Sequence, residues 1–182
     1  MIEAAVLTIS DKGSRGERED KSGEVIKEKL GLIEAEVVAY EIVPDERDII
    51  SQKLRSFAER ADLILTTGGT GVSPRDVTPE ATKDVIEREL PGFSEAMRAE
   101  SFKVTPRSIG SRAVTGMYKD TLIINLPGSP KGVSECLDVV LKAIPHVLEV
   151  AKGKVSDCGK DVHSHKKNHL IMTRDDISGN HT

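Results

Sequence analysis

Apolar and polar positions along this chain fall into blocks rather than a residue-by-residue alternation. Ala4 to Ile9 (AAVLTI), Glu36 to Val43 (EVVAYEIV) and Asp62 to Thr66 (DLILT) are short apolar or β-rich runs. Runs of that length and character are strands buried on both faces. Helical periodicity fills the intervals. Lys21 to Leu30 places Val25, Ile26 and Leu30 on one side, and Arg47 to Arg60 repeats at Ile50, Leu54, Phe57 and Ala58. Pro79 stands where a first helical turn tolerates proline, which predicts a helix continuing over Glu80 to Leu90 and ending at Pro91-Gly92. A further helix is expected over Phe93 to Phe102. Ala113 to Lys119 and Thr121 to Leu126 predict strands joined by a hairpin at Lys119-Asp120. Val133, Leu137, Val140, Leu141, Ile144 and Leu148 predict a last helix, disturbed at Pro145.

Strand-helix alternation with non-alternating strands defines the expected fold class, α/β. The expected architecture is a single three-layer domain with a mainly parallel central sheet, helices on both faces and an antiparallel edge hairpin. From about Val155 onward the chain turns polar, so the expected division is a domain over 1–154 and a polar C-terminal tail over 155–182.

Composition changes this picture only by exclusion. The 182 residues amount to one domain with or without a tail. Apolar residues make up 37% and charged residues 31%, a balance of neither a disordered nor a membrane chain. No run approaches the roughly 20 apolar residues that span a bilayer. The start Met1-Ile2-Glu3-Ala4-Ala5-Val6 carries no basic, apolar leader, so a cytoplasmic protein is expected. A net charge of -4, 3% aromatics and no Trp argue against a nucleic-acid partner, and the scarcity of rings argues against flavin stacking. Cys136 and Cys158 are too few for a disulfide framework, and Cys158, His163, His165 and His169 fit no standard zinc spacing.

The candidate chemistry lies just after the strands, where open parallel sheets bind ligands. Four segments qualify: Ser10-Asp11-Lys12-Gly13, Pro44-Asp45-Glu46, Thr67-Gly68-Gly69-Thr70-Gly71 and Pro127-Gly128-Ser129-Pro130. The glycine-rich loop offers successive backbone N–H groups for an anion, and Thr67 and Thr70 add hydroxyls. It is not a Walker loop, because no Gly-Lys-Ser/Thr follows. Asp76 lies five residues beyond the loop and Asp45 follows the second strand on the same edge. Carboxylates beside a polyphosphate require a cation between them, usually Mg²⁺, so Asp45 and Asp76 are the candidate metal-holding and catalytic pair. Pro127-Gly128-Ser129-Pro130 opens a helix and is a second anion site. Asp11 and Asp20 rank lower, as loop or capping residues. Arg112 has the chemistry to pair with a phosphate, and Arg75 is a further nearby cation.

These segments, taken in order with Asp20-Lys21-Ser22-Gly23, Arg75-Asp76-Val77-Thr78-Pro79-Glu80-Ala81, Pro91-Gly92-Phe93 and Ser111-Arg112, resemble the Mog/MoaB family of molybdenum cofactor biosynthesis proteins. The resemblance runs from about residue 3 to about residue 150. It implies a homo-trimer or hexamer that transfers AMP from Mg-ATP to the terminal phosphate of molybdopterin and releases pyrophosphate. It implies Asp45 and Asp76 as the essential acidic pair, and Thr67, Gly68, Gly69, Thr70 and Gly71 as nucleotide-binding. It further implies Ser10, Ser22, Ser111, Gly128 and Ser129 as pterin- or phosphate-contacting, with a molybdenum-insertion protein as a partner. The alternative within the same fold is a non-catalytic molybdopterin-binding or scaffolding oligomer.

Overall fold

The computed structural model describes residues 1–154. The tail expected over 155–182, with Cys158, His163, His165 and His169, lies outside the described residues. In chain order the elements are β1 (Ile2–Ile9), α1 (Asp11–Ser14), α2 (Lys21–Leu30), β2 (Ala35–Val43), α3 (Arg47–Phe57), β3 (Leu63–Thr67), α4 (Thr78–Lys83), β4 (Arg88–Glu89), α5 (Pro91–Val104), β5 (Thr115–Tyr118), β6 (Thr121–Leu126), α6 (Pro130–Val140) and α7 (Ile144–Ala151). The strands form one sheet in the order β2-β1-β3-β6-β5-β4. The first four are mutually parallel, and β5 and β4 extend the sheet antiparallel.

The non-alternating strands sit where both sheet faces are covered. On β1, Ala4 and Val6 face one cluster with Ile26, Met97, Leu137 and Ile144. Ala5, Leu7 and Ile9 face the other, with Ile50, Leu54, Phe57 and Ala81. Leu63 and Leu65 of β3 and Leu122 and Ile124 of β6 join the first, and Ile64 and Ile123 the second. Three layers result, as the pattern predicts. The buried Asn125 of β6 ties the sheet to α4 through its amide. Its Nδ2 donates to Thr66 Oγ1 at 3.0 Å and Thr82 Oγ1 at 2.9 Å, and its Oδ1 accepts from Val114 N at 3.2 Å. With all three bonds made, this buried polar group carries no unsatisfied penalty.

Two expectations are corrected. The helix expected over Glu80 to Leu90 ends at Lys83, and Arg88–Glu89 is the edge strand β4. The outer side of β5 explains the change. Glu87 N donates to Met117 O and Leu90 N to Thr115 O, each at 2.8 Å, and these pairings prevail over another helical turn. Gly116 permits the approach, since a Cβ there would lie 2.6 Å from Arg88 O. Pro91-Gly92 accordingly opens α5 instead of closing a helix. The last helix breaks at residues 141–143 into α6 and α7, the disturbance expected ahead of Pro145.

Sheet register sets the site. Ile9 pairs with Val43, Thr8 with Thr67 and Thr67 with Leu126, so all four parallel strands end at one level. The four segments that follow them share one edge. The chain leaves β1 toward β2 on one side and reaches β3 on the other, which makes the β1/β3 boundary the topological switch point where ligand crevices form.

Candidate active site at the strand ends

Gly68 and Gly69 lie at that switch point, both with positive φ (99° and 64°). The space demands glycine as much as the backbone does. A Cβ on Gly68 would fall 2.2 Å from Ile9 O, and one on Gly69 2.4 Å from Thr78 Oγ1. Gly128 packs on the other side of Gly68, where an added Cβ would meet Gly68 Cα at 3.3 Å. The loop therefore crosses between the ends of β1 and β6 with no side chain of its own in the way.

Several expected ligand donors are already used inside the fold. Thr67 is buried and donates its hydroxyl to Pro127 O at 2.7 Å, and Gly68 N donates to Leu126 O at 3.3 Å. Thr67 and the Gly68 amide thus anchor the loop and are not free donors. Ser22 is likewise buried, its hydroxyl donated to Gly128 O at 2.9 Å, which clamps α2 onto the turn before α6. The amides of Gly69, Thr70 and Gly71 have no protein acceptor among the described residues. Neither do those of Gly128 and Ser129, ahead of α6. Two clusters of open N–H groups remain in the loops that follow β3 and β6, and successive free N–H groups of this kind bind anions.

The two carboxylates flank the same loop. Asp45 Oδ1 would lie 3.1 Å from a Cβ at Gly69, and Asp76 Oδ2 2.8 Å from a Cβ at Gly71. Asp76 is held locally, accepting from Ser73 N at 2.9 Å. Asp45 is held by Asp11 through a reciprocal pair. Asp11 N donates to Asp45 Oδ2 at 2.9 Å and Asp45 N donates to Asp11 Oδ1 at 3.1 Å. Arg75 forks onto Asp11 (2.9 and 3.2 Å) and reaches Glu46 at 2.9 Å. This network draws the Asp11 carboxyl below its usual range, chiefly through the Arg75 hydrogen bond. Asp45 moves the other way. Burial raises it first; the Asp11 N–H opposes the rise, while the Asp11 and Asp76 charges add to it and Arg75 again opposes.

That raised pKa carries a stability consequence. The folded state binds the Asp45 proton more tightly than the unfolded chain does. A penalty therefore appears as pH rises through the ordinary carboxylate range and is complete above the folded pKa. Asp45→Asn keeps the acceptor for Asp11 N and removes the charge. Its midpoint of thermal unfolding is expected at or above that of the wild type at neutral pH, with the advantage vanishing as pH is lowered through the carboxylate range. Thermal unfolding at several pH values checks this, and a neutral-pH loss of stability contradicts it.

The open groups line two clefts separated by the loop. The first, about 690 Å³, is lined by Ser10, Asp20, Asp45, Gly69 and Gly128 among others. The second, about 540 Å³, is lined by Thr70, Gly71, Arg98, Arg107, Ser111 and Lys131 among others. Both volumes lie in the range of small-molecule sites, roughly 300–1,000 Å³. Ser129 borders both. Asp76 lines neither and stands against Gly71, which lines the second. Ser10 caps α1 by accepting from Gly13 N at 3.0 Å, and Ser129 caps α6 by accepting from Gly132 N at 3.2 Å, so both retain a hydroxyl proton to donate. Asp20 is a cap, as expected: it accepts from Gly23 N at 2.9 Å and from Tyr40 Oη at 2.7 Å.

Arg112 is not free for a phosphate, contrary to its sequence reading. Its Nε donates to Gly71 O at 2.7 Å, its Nη2 to Asp76 O at 2.6 Å, and its Nη1 pairs with Glu80. Burial is the largest single influence and pushes the Glu80 carboxyl up, but the Arg112 hydrogen bond, the Glu80 backbone N–H and the Arg112 and Arg47 charges together outweigh it, and the net shift is downward. The roles of Asp11 and Arg112 carried no local signal. Asp45 lies 34 residues from Asp11 in the chain, and Asp76 lies 36 from Arg112.

One or two protein carboxylates completed by substrate phosphates is the usual donor set for magnesium, and Asp45 and Asp76 supply carboxylates of that kind beside the glycine loop. The pair does not fit an all-protein cage. Among the described residues no group of three or more His, Cys, Asp or Glu side chains is arranged to hold a metal ion. No helix among them is long and apolar enough to cross a membrane.

Residues 5–146 match the family described as probable molybdopterin binding domain. A protein of Helicobacter pylori strain J99 named molybdopterin adenylyltransferase is 47% identical over 156 residues, covering 84% of this chain and 89% of that one. The Escherichia coli K12 protein of the same name is 40% identical over 151 residues, covering 81% and 77%. Among solved structures, the molybdopterin biosynthesis enzyme MoaB of Thermus thermophilus superposes with a TM-score of 0.80 at 51% identity, covering 85% of this chain and 98% of that one.

Proposed function

This chain belongs to the probable molybdopterin binding domain family, with the Mog and MoaB proteins, and from that premise we propose that it is a molybdopterin adenylyltransferase. Its place is in molybdenum cofactor biosynthesis, and it transfers AMP from Mg-ATP to the terminal phosphate of molybdopterin. The single observation that carries the reading is the pair Asp45 and Asp76, set on either side of one glycine loop whose amides have no protein acceptor among the described residues.

The chemistry needs little from side-chain acids and bases. The nucleophile is a phosphate monoester oxygen, largely ionised already near neutral pH because its second pKa is about 6. It attacks the α-phosphorus of ATP; the new P–O bond forms as the bond to the β-phosphate breaks, and pyrophosphate leaves with the electron pair. Two anions must be brought together, so alignment and charge neutralisation dominate. Gly69, Thr70 and Gly71 offer N–H donors to the triphosphate, and Gly128 and Ser129 offer more at the α6 N-terminus. Ser10 and Ser22 border the first cleft, and Ser22 contributes by holding the Gly128 turn. Ser111 and Thr70 border the second, with Ser129 shared by both, and Ser10, Ser111, Gly128 and Ser129 offer contacts to the pterin and its phosphate. Asp45 and Asp76 would hold Mg²⁺, which would supply neutralisation of the charge developing on the phosphoryl oxygens. Assembly as a trimer or hexamer belongs to the same reading.

The test is an assay with molybdopterin, ATP and Mg²⁺. Adenylylated pterin and pyrophosphate in equal amounts are expected. Pterin binding with neither product contradicts the enzyme reading and leaves a binding or scaffolding oligomer.

A further inference from the structure

The loop between Gly71 and α4 leaves the fold and returns. Val72, Ser73, Pro74 and Arg75 are all exposed. Asp76 sits at its returning foot, and inside the loop only Ser73 is bonded to it. The two feet are joined by one side chain. Arg112 takes Gly71 O with Nε and Asp76 O with Nη2, while its own backbone N donates to Thr70 O at 2.9 Å. The remaining guanidinium nitrogen is paired with Glu80 in the first turn of α4. The other carboxylate oxygen of Glu80 is buried without a partner among the described residues, so Arg112 supplies its compensation.

Resting on the adenylyltransferase reading, we infer that Arg112 is a positioning residue, which fixes Asp76 relative to the glycine loop and so sets the span between the Asp76 and Asp45 carboxylates. It touches no reacting atom. Its neighbour Ser111 lines the second cleft, so the same short segment runs from that cleft to the loop foot that carries Asp76. A planar fork makes this possible. Three acceptors in different directions are met by one rigid group with fixed donor geometry, whereas a lysine ammonium is a point charge on a flexible stem.

Arg112→Lys is the informative variant, because it keeps a cation for Glu80 and removes the fork. The full chain is compared with wild type in steady-state AMP transfer at varied Mg²⁺, with thermal unfolding measured alongside. The expected result is a kcat lower by about 10²-fold, the scale of a small misplacement of reacting groups. The half-saturating Mg²⁺ concentration is expected to rise about tenfold, as when an outer partner of a metal ligand is lost. Binding of ATP without Mg²⁺ is expected to be unchanged. A lysine variant with wild-type kcat and wild-type Mg²⁺ dependence overturns the inference. So does a loss of activity that only follows the loss of folded protein, or one with Mg²⁺ dependence unaltered. If the wild type itself forms no adenylylated pterin, the function reading fails separately. The inference is then decided by titration calorimetry of ATP with and without Mg²⁺. A Mg²⁺-linked gain in affinity that the lysine variant loses supports it, and no gain, or an equal gain in both proteins, overturns it.

Discussion

Asp76→Asn is expected to lower AMP transfer on the order of 10³-fold while leaving the fold intact. The magnitude follows from removing one of the two carboxylates proposed to hold the cation. A bound metal contributes several kcal/mol to charge stabilisation in the transition state, and about 1.4 kcal/mol corresponds to each tenfold in rate. The fold is spared because Asp76 uses its side chain only to accept from Ser73 N, at 2.9 Å, and an asparagine oxygen accepts that bond equally well. Its other tether, from Arg112 to the Asp76 carbonyl, is a main-chain contact that the substitution leaves untouched. Steady-state transfer and circular dichroism on the same preparation check both halves. Turnover within a few-fold of wild type at limiting Mg²⁺ contradicts the role given to Asp76. High Mg²⁺ is expected to recover part of the lost rate, since the remaining Asp45 and the nucleotide phosphates still offer ligands.

Gly68→Ala is expected to be the most destabilising single methyl in the domain, lowering stability by about 4–5 kcal/mol, at the exceptional end for point substitutions. Two independent costs coincide at this position. At φ +99° an L-residue is strained, and the added Cβ would lie 2.2 Å from the backbone oxygen of Ile9. The obstruction is main chain of the paired strand β1, which is fully buried from Ala4 to Leu7. Relief requires parting β1 from β3, not rotating a side chain. Gly128 closes the opposite side, so the loop has no free direction in which to retreat. Gly31→Ala is the matched control. Gly31 has φ -58° and nothing within 4 Å of the added Cβ. There alanine is expected to be neutral or to stabilise by about 0.4–1 kcal/mol, because it narrows the unfolded ensemble. Denaturant midpoints for the two variants decide the matter; similar values would mean that the close packing around the loop is not what holds the strands in place.

Much of this site is a local property of the chain. Parallel strands buried on both faces leave continuous apolar runs, and the loops after them end up on one edge whatever else the protein does. Asp45, the glycine loop, Asp76 and the Gly128-Ser129 turn are therefore legible as one candidate site from order and spacing alone. The glycines are legible too, since a short strand-to-helix crossing needs positive φ. The edge strand Arg88–Glu89 was not, because its local pattern suits a helix and only the unpaired flank of β5 draws it into the sheet.

Packing, by contrast, settled which groups remain available. Thr67, Ser22 and the Gly68 amide have the right chemistry for phosphate, but they are engaged by Pro127, Gly128 and Leu126. Arg112 has the right charge and is occupied by two carbonyls and Glu80. Asp11, by sequence a capping residue, holds Asp45 in place. Hydrogen-bonding capacity is finite and is consumed by whichever partner folding brings near. The order of residues was enough to bring these candidate groups to one edge of the sheet. Which donors and charges are left over for a ligand depends on contacts between residues far apart in the chain, and those exist only once it has folded.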